Sequence, residues 1–322
     1  MASTVSSSAD QQAALRAEFT RLAQDLPAFS PGLIPDGAAR YLAYYGLDLA
    51  AGFAGVRFGL GAVNSGDHRL ALHCWETPAA EETILLVHGY FDHVGLYDHL
   101  VRFGLERCAN VVAFDLPGHG ISSGPRAEIQ DFEEYRQAIV DVLAAVDYLP
   151  GRRSVIAQST GGAATMDYLQ QGGADTFDKV VLLAPLVRPT QWRRIVFLHT
   201  LLRRFVDSVA RGFADSSQDP EFLDFVRSDP LQSQVIPLCW IAALRRWIPR
   251  FLDGNSCEKP LLVVQGDDDN TVDWRYNLGE LERLFPAMEL FTVPGGRHHL
   301  ANEHAAIRNY YLVEISAWLD RR

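Results

Sequence analysis

Ser159 stands where an apolar run meets a glycine-rich segment, and its setting is typical of a nucleophile. Residues 154–164 predict a buried strand, a tight turn and a helix start. A serine exposed on so sharp a turn needs small residues two positions to either side, and these are Ala157 and Gly161. The usual Gly-x-Ser-x-Gly thus appears as Ala-x-Ser-x-Gly. The alternative is a serine that only caps the helix.

A serine hydroxyl is a poor nucleophile at neutral pH, so it requires an imidazole base and a carboxylate that orients the base. Both follow Ser159 along the chain. A strand predicted at 261–265 leads into a turn with three carboxylates, and one at 289–293 leads into a turn with two imidazoles. The order serine, acid, histidine matches the α/β-hydrolase arrangement. Periodicity leaves the choice open among Asp267, Asp268, Asp269, His298 and His299.

The oxyanion of a tetrahedral intermediate needs two backbone N–H donors. One is expected from the residue after the nucleophile, Thr160, and the other from the loop after an earlier strand. The strand predicted at 83–87 runs into His88-Gly89-Tyr90-Phe91. The sequence therefore predicts the N–H groups of Tyr90 and Thr160 as the oxyanion hole.

Several ordered motifs together resemble the monoacylglycerol lipase and lysophospholipase group of α/β hydrolases. His88-Gly89-Tyr90-Phe91-Asp92-His93 resembles their His-Gly-x-x-Glu-His stretch, and residues 115–124 resemble their Asp-x-x-Gly-His-Gly-x-Ser-x-Gly stretch. Ser228-Asp229-Pro230-Leu231 matches a short motif in their lids. The resemblance covers the chain from roughly residue 65 to its end.

This resemblance implies which residues act and on what. The acid is Asp269, three residues after the glycine that ends its strand, and the base is His298, with Asp267, Asp268 and His299 as the remaining candidates. The implied activity is cleavage of carboxylic esters of partly apolar substrates, of monoacylglycerol or lysophospholipid type, through an acyl-enzyme. No metal or organic cofactor is implied.

Rival functions use the same or neighbouring residues. A thioesterase, a peptidase and a carbon–carbon bond hydrolase would use the same triad, whereas a non-catalytic binding protein on this fold is expected to have lost one of its members. Ser159 excludes the epoxide hydrolases and haloalkane dehalogenases, which carry a carboxylate at that position. A metal hydrolase is suggested by His88, Asp92 and His93, but Tyr90 replaces a ligand of that motif and Ser159 stays unexplained.

Other polar residues are predicted to be structural. His88, Asp115 and His119 lie in the glycine-rich loops of the two motifs and are expected to hold those turns. Cys239 lies in an apolar segment where nothing indicates a lowered thiol pKa, so it is expected to pack.

The elements that must position these residues follow an α/β rhythm from residue 55 onward. Apolar runs at 56–63, 70–75, 83–87, 111–115, 154–158, 180–184, 261–265 and 289–293 predict eight strands, and periodic segments at 132–148, 160–170 and 307–321 predict helices. We expect an α/β-hydrolase fold: an eight-stranded, mostly parallel sheet with helices on both faces and an inserted helical lid.

The predicted domains are an N-terminal segment at 1–40 with an amphipathic helix, a core at 41–185, a helical lid at 186–256 without a strand pattern, and the rest of the core at 257–322. The segment 186–256, called the insertion below, holds ten arginines and seven acids, which gives it a net charge of +3 against −14 for the rest of the chain. Its arginines are expected either to contact an anionic head group or membrane surface, or to pair with acids of the core.

The composition indicates which partners and which location to expect for the protein. The net charge of −11 argues against nucleic acid as a partner, and the 48% hydrophobic content is enough for a large core. The four cysteines form no CxxC pair, residues 1–30 lack the pattern of a secretory signal, and no apolar run is long enough to cross a bilayer. A cytoplasmic location is expected, and the oligomeric state stays open.

Overall fold

A computed structural model describes residues 8–321 of the chain. Within that range its strands are β1 (Arg57–Ser65), β2 (His68–Glu76), β3 (Glu82–Val87), β4 (Asn110–Phe114), β5 (Arg152–Gln158), β6 (Lys179–Leu183), β7 (Ser208–Ala210), β8 (Val235–Pro237), β9 (Leu261–Gly266) and β10 (Met288–Val293). Its α-helices are α1 (Ser8–Asp25), α2 (Ala38–Tyr44), α3 (Asp98–Glu106), α4 (Glu133–Ala145), α5 (Thr160–Tyr168), α6 (Trp192–Leu202), α7 (Pro220–Ser228), α8 (Leu238–Leu252), α9 (Trp274–Leu284) and α10 (Ala305–Asp320).

Eight of these strands form one sheet in the order β1-β2-β4-β3-β5-β6-β9-β10. The pairs β1/β2 and β2/β4 are antiparallel, and the remaining pairs are parallel. The predicted eight-stranded, mostly parallel sheet is confirmed, and each strand lies within two residues of the expected bounds.

Apolar layers cover both faces of the sheet. One layer packs α4, α5, α8 and α9 against it, and the other packs α1, α2, α3 and α10. The inner strands β3 and β9 are buried at every residue, as expected for parallel strands with helices on both faces.

The predicted N-terminal amphipathic helix is α1. Leu15, Phe19, Leu22 and Leu26 are all buried, so the apolar residues spaced at helical intervals form its core-facing side. Residues 1–7 of the predicted N-terminal segment lie outside the described residues.

The sheet topology opens a crevice beyond the carboxyl end of β3. Because β4 pairs with one edge of β3 and β5 with the other, the chain crosses from one side of β3 to the other, which makes a topological switch point. Val87 is paired with Ala157, so the loop after β3 and the turn after β5 begin side by side. The turns after β9 and β10 are also neighbours, since Val293 is paired with Gly266.

The insertion lies between β6 and β9 and contains α6, α7 and α8. It also contains β7 and β8, which pair antiparallel with Val209 opposite Ile236. The expectation of an insertion without strands was therefore wrong. Three-residue strands are too short to produce a measurable alternation of apolar and polar residues. Among residues 8–321, no helix is both long enough and apolar enough to cross a membrane.

Candidate active site

Ser159 occupies a tight turn between β5 and α5. Its backbone has φ of 51° and ψ of −111°, a conformation that L-residues rarely adopt. The turn presses α5 against the end of β3: a Cβ at Gly161 would lie 2.3 Å from the carbonyl oxygen of Val87. Glycine is thus required at 161, which explains the glycine two residues after the serine. Ser159 N donates to the carbonyl of Leu183 at 2.9 Å and fixes the turn on β6.

His298 connects Ser159 to Asp269. Ser159 Oγ lies 2.9 Å from His298 Nε2, and His298 Nδ1 lies 2.8 Å from Asp269 Oδ2. All three side chains are buried. The structure therefore brings together three of the residues that the sequence predicted, in a hydrogen-bonded chain that can move a proton from a hydroxyl to an imidazole.

The environment of this pair favours its charged form. Burial alone would raise the pKa of Asp269. The charge of His298 and the hydrogen bonds from the N–H groups of Thr271 and Val272 lower it by a larger amount, so the net shift is downward. Burial lowers the pKa of His298, but the charge and hydrogen bond of Asp269 more than offset this, so the net shift is upward. Gln265 Nε2 donates a further hydrogen bond, 3.1 Å, to Asp269 Oδ2.

The other acid and base candidates lie elsewhere. Asp267 and Asp268 are exposed, and they accept hydrogen bonds from Gly295 N and from the Arg297 side chain. His299 lies with its Nε2 2.9 Å from Asp92 Oδ1, where it pairs with a carboxylate instead of the serine.

Two backbone N–H groups beside Ser159 are available to a ligand. Those of Tyr90 and Thr160 have no hydrogen-bond acceptor among residues 8–321, and both residues line the same cavity as Ser159. The loop of Tyr90 approaches closely, since a Cβ at Gly89 would lie 3.3 Å from Ser159 Cβ. Neighbouring unpaired N–H groups of this kind can donate hydrogen bonds to an oxyanion.

Asp92 shapes this loop, a role that the sequence did not reveal. Its Oδ2 accepts hydrogen bonds from Gly89 N at 3.2 Å and Tyr97 Oη at 3.1 Å, while its Oδ1 contacts His299. The histidine after the base is thereby connected to the loop after β3. Both residues were visible in the motifs, but a contact between positions so distant in the sequence has no local signal.

Gln158 is a second residue whose role emerged from the structure. Its side chain donates to the carbonyl of His298 at 2.7 Å and accepts from Ala301 N at 3.4 Å. The residue before the serine therefore holds the backbone on both sides of the turn that carries the base.

A cavity of about 510 Å³ opens on Ser159 and has a mostly apolar lining. This volume is typical of small-molecule sites. Each helix of the insertion contributes to the wall, α6 through Ile195, α7 through Phe222 and α8 through Trp240. Trp240 stacks on the ring of Tyr90, with the ring centroids 3.8 Å apart.

The residues expected to be structural contact the backbone. Leu116 N donates to His88 Nε2, Asp115 accepts from Val94 N and Ile121 N, and His119 Nδ1 contacts the carbonyl of Pro117.

The residues of the metal alternative have separate partners. His88 contacts Leu116 and Gly89, Asp92 contacts His299, and His93 contacts Asp229. Among residues 8–321, no group of three or more His, Cys, Asp or Glu side chains is arranged to hold a metal ion. Burial and the charge of Glu128 raise the pKa of Cys239 to about 11, so its thiol is not activated.

Comparison with known proteins gives a family and relatives. The family model described as "Serine aminopeptidase, S33" (Hydrolase_4) matches residues 78–305. The monoglyceride lipase of Mus musculus is 27% identical over 281 residues, which cover 81% of this chain and 89% of the relative. The monoacylglycerol lipase of Mycolicibacterium smegmatis is 26% identical over 269 residues, which cover 79% of this chain and 94% of the relative.

Solved structures show the same fold. A soluble variant of monoglyceride lipase from Saccharomyces cerevisiae, in complex with a substrate analog, superposes with a TM-score of 0.70. That match is 19% identical in sequence and covers 81% of this chain and 94% of the other. The likeness bears out the α/β-hydrolase fold expected from the sequence.

Proposed function

Because the chain belongs to the Hydrolase_4 family and is a carboxylic ester hydrolase of the α/β-hydrolase fold, we propose that Ser159, His298 and Asp269 are its catalytic triad. The proposed substrates are carboxylic esters with an apolar chain, of monoacylglycerol or lysophospholipid type. The observation that carries the proposal is the hydrogen-bonded chain from Ser159 Oγ through His298 to Asp269, beside two unpaired N–H groups.

The proposed reaction has two halves. Ser159 Oγ attacks the ester carbonyl while His298 Nε2 takes its proton, and the oxyanion accepts hydrogen bonds from the N–H groups of Tyr90 and Thr160. Collapse of this intermediate breaks the bond to the alcohol, which leaves with the proton from His298. Water then attacks the acyl-enzyme with His298 as base, and the acid is released. Asp269 stabilises the imidazolium, and no metal or organic cofactor is needed.

The cavity supports an ester with an apolar chain. Its lining is mostly apolar, and part of its wall comes from the insertion. We therefore propose that the insertion is a lid over the substrate. The relatives, a monoglyceride lipase and a monoacylglycerol lipase, support a glycerol monoester as one substrate.

We also propose that the insertion contacts a lipid surface. Exposed apolar side chains of α6 and its carboxyl end, Phe197, Leu201 and Phe205, lie close in sequence to exposed arginines. Four of these arginines have no carboxylate within 4 Å among the described residues: Arg193, Arg194, Arg203 and Arg204. In contrast, three arginines of the insertion pair with acids of the core: Arg188, Arg246 and Arg250. Pairing with the core, the alternative to contact with a lipid surface, therefore accounts for only some of the insertion's arginines.

The proposed location is the cytoplasm. Cys74, Cys108, Cys239 and Cys257 are free thiols, which fits a reducing compartment.

The proposal is tested by hydrolysis of p-nitrophenyl esters of increasing acyl length, and of monoacylglycerol, by the wild type and by Ser159→Ala. We expect activity that peaks at medium or long chains and falls by about 10³-fold or more in the variant. Parallel assays on thioesters, aminoacyl anilides and carbon–carbon substrates address the rival chemistries. No ester activity in the wild type, or equal activity in Ser159→Ala, would overturn the proposal.

A further inference from the structure

Arg211 follows β7 and lies in the wall of the cavity that contains Ser159. Its guanidinium carbon lies 3.9 Å from the centroid of the Phe91 ring and 4.5 Å from that of Phe213, so aromatic rings hold the planar group. Nη1 donates to the side chain of Gln232 at 2.6 Å and to the carbonyl of Ser233 at 3.2 Å. The guanidinium is therefore fixed in one orientation.

The guanidinium of Arg211 forms no ion pair within the described part of the chain. No carboxylate of residues 8–321 lies within 4 Å of its guanidinium, whereas Arg227, the other arginine in the cavity wall, pairs with Asp224 and Asp215. Burial lowers the pKa of Arg211 to about 10, so the group is still protonated at neutral pH.

The acids nearest to Arg211 are already engaged. Asp92 and Asp229 both influence its charge, but Asp92 lies 2.9 Å from His299 and Asp229 lies 2.7 Å from His93. Both carboxylates therefore act on the guanidinium only through space, and neither forms an ion pair with it. A charge in an apolar wall without a partner is costly unless a ligand supplies one.

The donors left over match an oxyanion. Nε and Nη2 of Arg211 have no acceptor among the described residues, since both hydrogen bonds of the side chain come from Nη1. These two N–H groups form the side of the guanidinium fork that binds a carboxylate or phosphate through two parallel hydrogen bonds.

Arg211 and Ser159 line the same cavity. The guanidinium stacks on Phe91, and Phe91 directly follows Tyr90, which also lines that cavity. The rings of Tyr90 and Phe91 lie with their centroids 4.0 Å apart. A ligand in this cavity is therefore open to both Arg211 and Ser159.

We propose that Arg211 binds an anionic group, a carboxylate or a phosphate, on the ester substrate, and so selects negatively charged esters over neutral ones. This inference rests on the proposed ester hydrolysis at Ser159. It concerns one half-buried side chain in the cavity wall and not the exposed arginines of the insertion, which would act on a surface.

The test compares esters that differ only in charge, each kept below its aggregation concentration so that no lipid surface is present. One arm uses mono-p-nitrophenyl adipate and its neutral methyl ester, which place the charge on the acyl side. The other uses lysophosphatidic acid and the monoacylglycerol with the same short acyl chain, which place it on the alcohol side. In at least one arm, Arg211→Met is expected to lower the ratio of kcat/KM for the anionic over the neutral ester by about tenfold or more.

Arg227→Met is the matched control, because it removes a cavity-lining arginine that already has carboxylate partners; its ratios should equal those of the wild type. The inference would be overturned if Arg211→Met left the ratios unchanged in both arms, or lowered activity equally on charged and neutral esters. Arg211 would then only hold Phe91 in position. If Arg211→Met does not fold, Arg211→Lys decides, since loss of the planar fork should lower the ratio by about threefold. Inactivity of the wild type on all of these esters, charged and neutral, would instead contradict the proposed function.

Discussion

Ser159, the proposed nucleophile, has an energetically costly backbone conformation. A positive φ at a residue with a side chain costs on the order of 1–3 kcal/mol and persists only where its surroundings enforce it. Here the hydrogen bonds of Ser159 to Leu183 and Leu186, together with the close approach of Gly161 to β3, enforce it. The hydroxyl is thereby presented to His298 without a flexible loop.

At the residue scale, Asp269 is expected to set both the orientation and the basicity of His298. Asp269→Asn would leave the buried imidazole without the charge that raises its pKa, and the pKa should fall. Because the base must be neutral to act, the acidic limb of kcat/KM should move to lower pH, while kcat drops by about 10⁴-fold. A pH–rate profile of both proteins checks this. An unshifted limb at nearly full activity would contradict the role of Asp269.

Tyr90 is expected to act through its backbone, so Tyr90→Phe should retain turnover. The change removes the hydrogen bond from the hydroxyl to the carbonyl of Ala127, 2.8 Å, but keeps the N–H and the ring that stacks on Trp240. We expect kcat on a short ester within about threefold of the wild type and a loss of about 1 kcal/mol in the free energy of unfolding. Steady-state kinetics and urea unfolding measure the two. A loss of activity of 100-fold or more would show that the hydroxyl itself is needed.

At this scale the sequence predicted the three residues of the hydrogen-bonded chain but not the residues that hold them in place. Ser159 and the two turns with Asp269 and His298 were found because each follows an apolar strand. The roles of Asp92 and Gln158 depend on contacts with the turn of His298, more than a hundred positions away, and such contacts leave no periodic or spacing signal.

At the scale of elements, the insertion is fixed to the core by a buried ion pair. Asp229, which follows α7, lies 2.7 Å from His93 in the loop after β3, and it accepts a hydrogen bond from Tyr45 at 2.6 Å. Both charged side chains are almost fully buried. The motif Ser228-Asp229-Pro230-Leu231 was recognised in the sequence, but its contact with His93 was not.

The stability of this anchor should depend on pH. Burial alone would lower the pKa of His93, but the charge of Asp229 more than offsets this, so the net shift is upward. Burial alone would raise the pKa of Asp229, but the charge of His93 and the hydrogen bonds to the carboxylate give a net downward shift. The contribution of His93 to the free energy of unfolding is complete below about pH 6.5 and is lost as the pH rises through its raised pKa. The contribution of Asp229 is complete above about pH 4 and is lost as the pH falls through its lowered pKa. The pair should therefore stabilise the fold most between about pH 4 and 6.5.

Asp229→Asn tests this anchor. Breaking a buried pair from one side costs about 3–5 kcal/mol, so we expect the free energy of unfolding to fall by that amount at pH 5.5 and by less at pH 9. Asp224→Asn is the control, because Asp224 is exposed. Its loss should lower the free energy of unfolding by under about 1 kcal/mol. Urea unfolding at the two pH values gives both differences. A loss independent of pH would contradict an ion pair.

The elements themselves were largely predictable. The eight strands of the sheet and α1 have strong periodic patterns, and the structure places them within a few residues of expectation. The strands β7 and β8 were missed because their pairing, not their composition, defines them. That the insertion acts as a lid over the substrate stays a prediction.

At the scale of the whole molecule, charge is distributed unevenly. The insertion carries a net +3 and the remainder −14, so the exposed arginines stand out on an acidic protein. Each arginine near an anionic membrane contributes about 1 kcal/mol to binding, and this attraction weakens with salt. Phe197 and Phe205, which are 67% and 79% exposed, would add apolar contact.

We expect the protein to bind vesicles that contain phosphatidylglycerol more tightly than vesicles of phosphatidylcholine alone, and less tightly at high salt. The double variant Phe197→Ser/Phe205→Ser should lose most of this binding while retaining activity on a short soluble ester. Val313→Ser is the control, since Val313 is 72% exposed on α10, outside the insertion. Co-sedimentation measures all three proteins. Equal binding of the double variant and the control would contradict a surface contact through the insertion.

The central claim, that Ser159 is the nucleophile, is tested most directly by covalent labelling with a p-nitrophenyl alkylphosphonate followed by peptide mass spectrometry. We expect one adduct, on Ser159, that forms in step with the loss of esterase activity and is absent in Ser159→Ala. An adduct on another residue such as Cys239, or full inactivation without modification of Ser159, would contradict it.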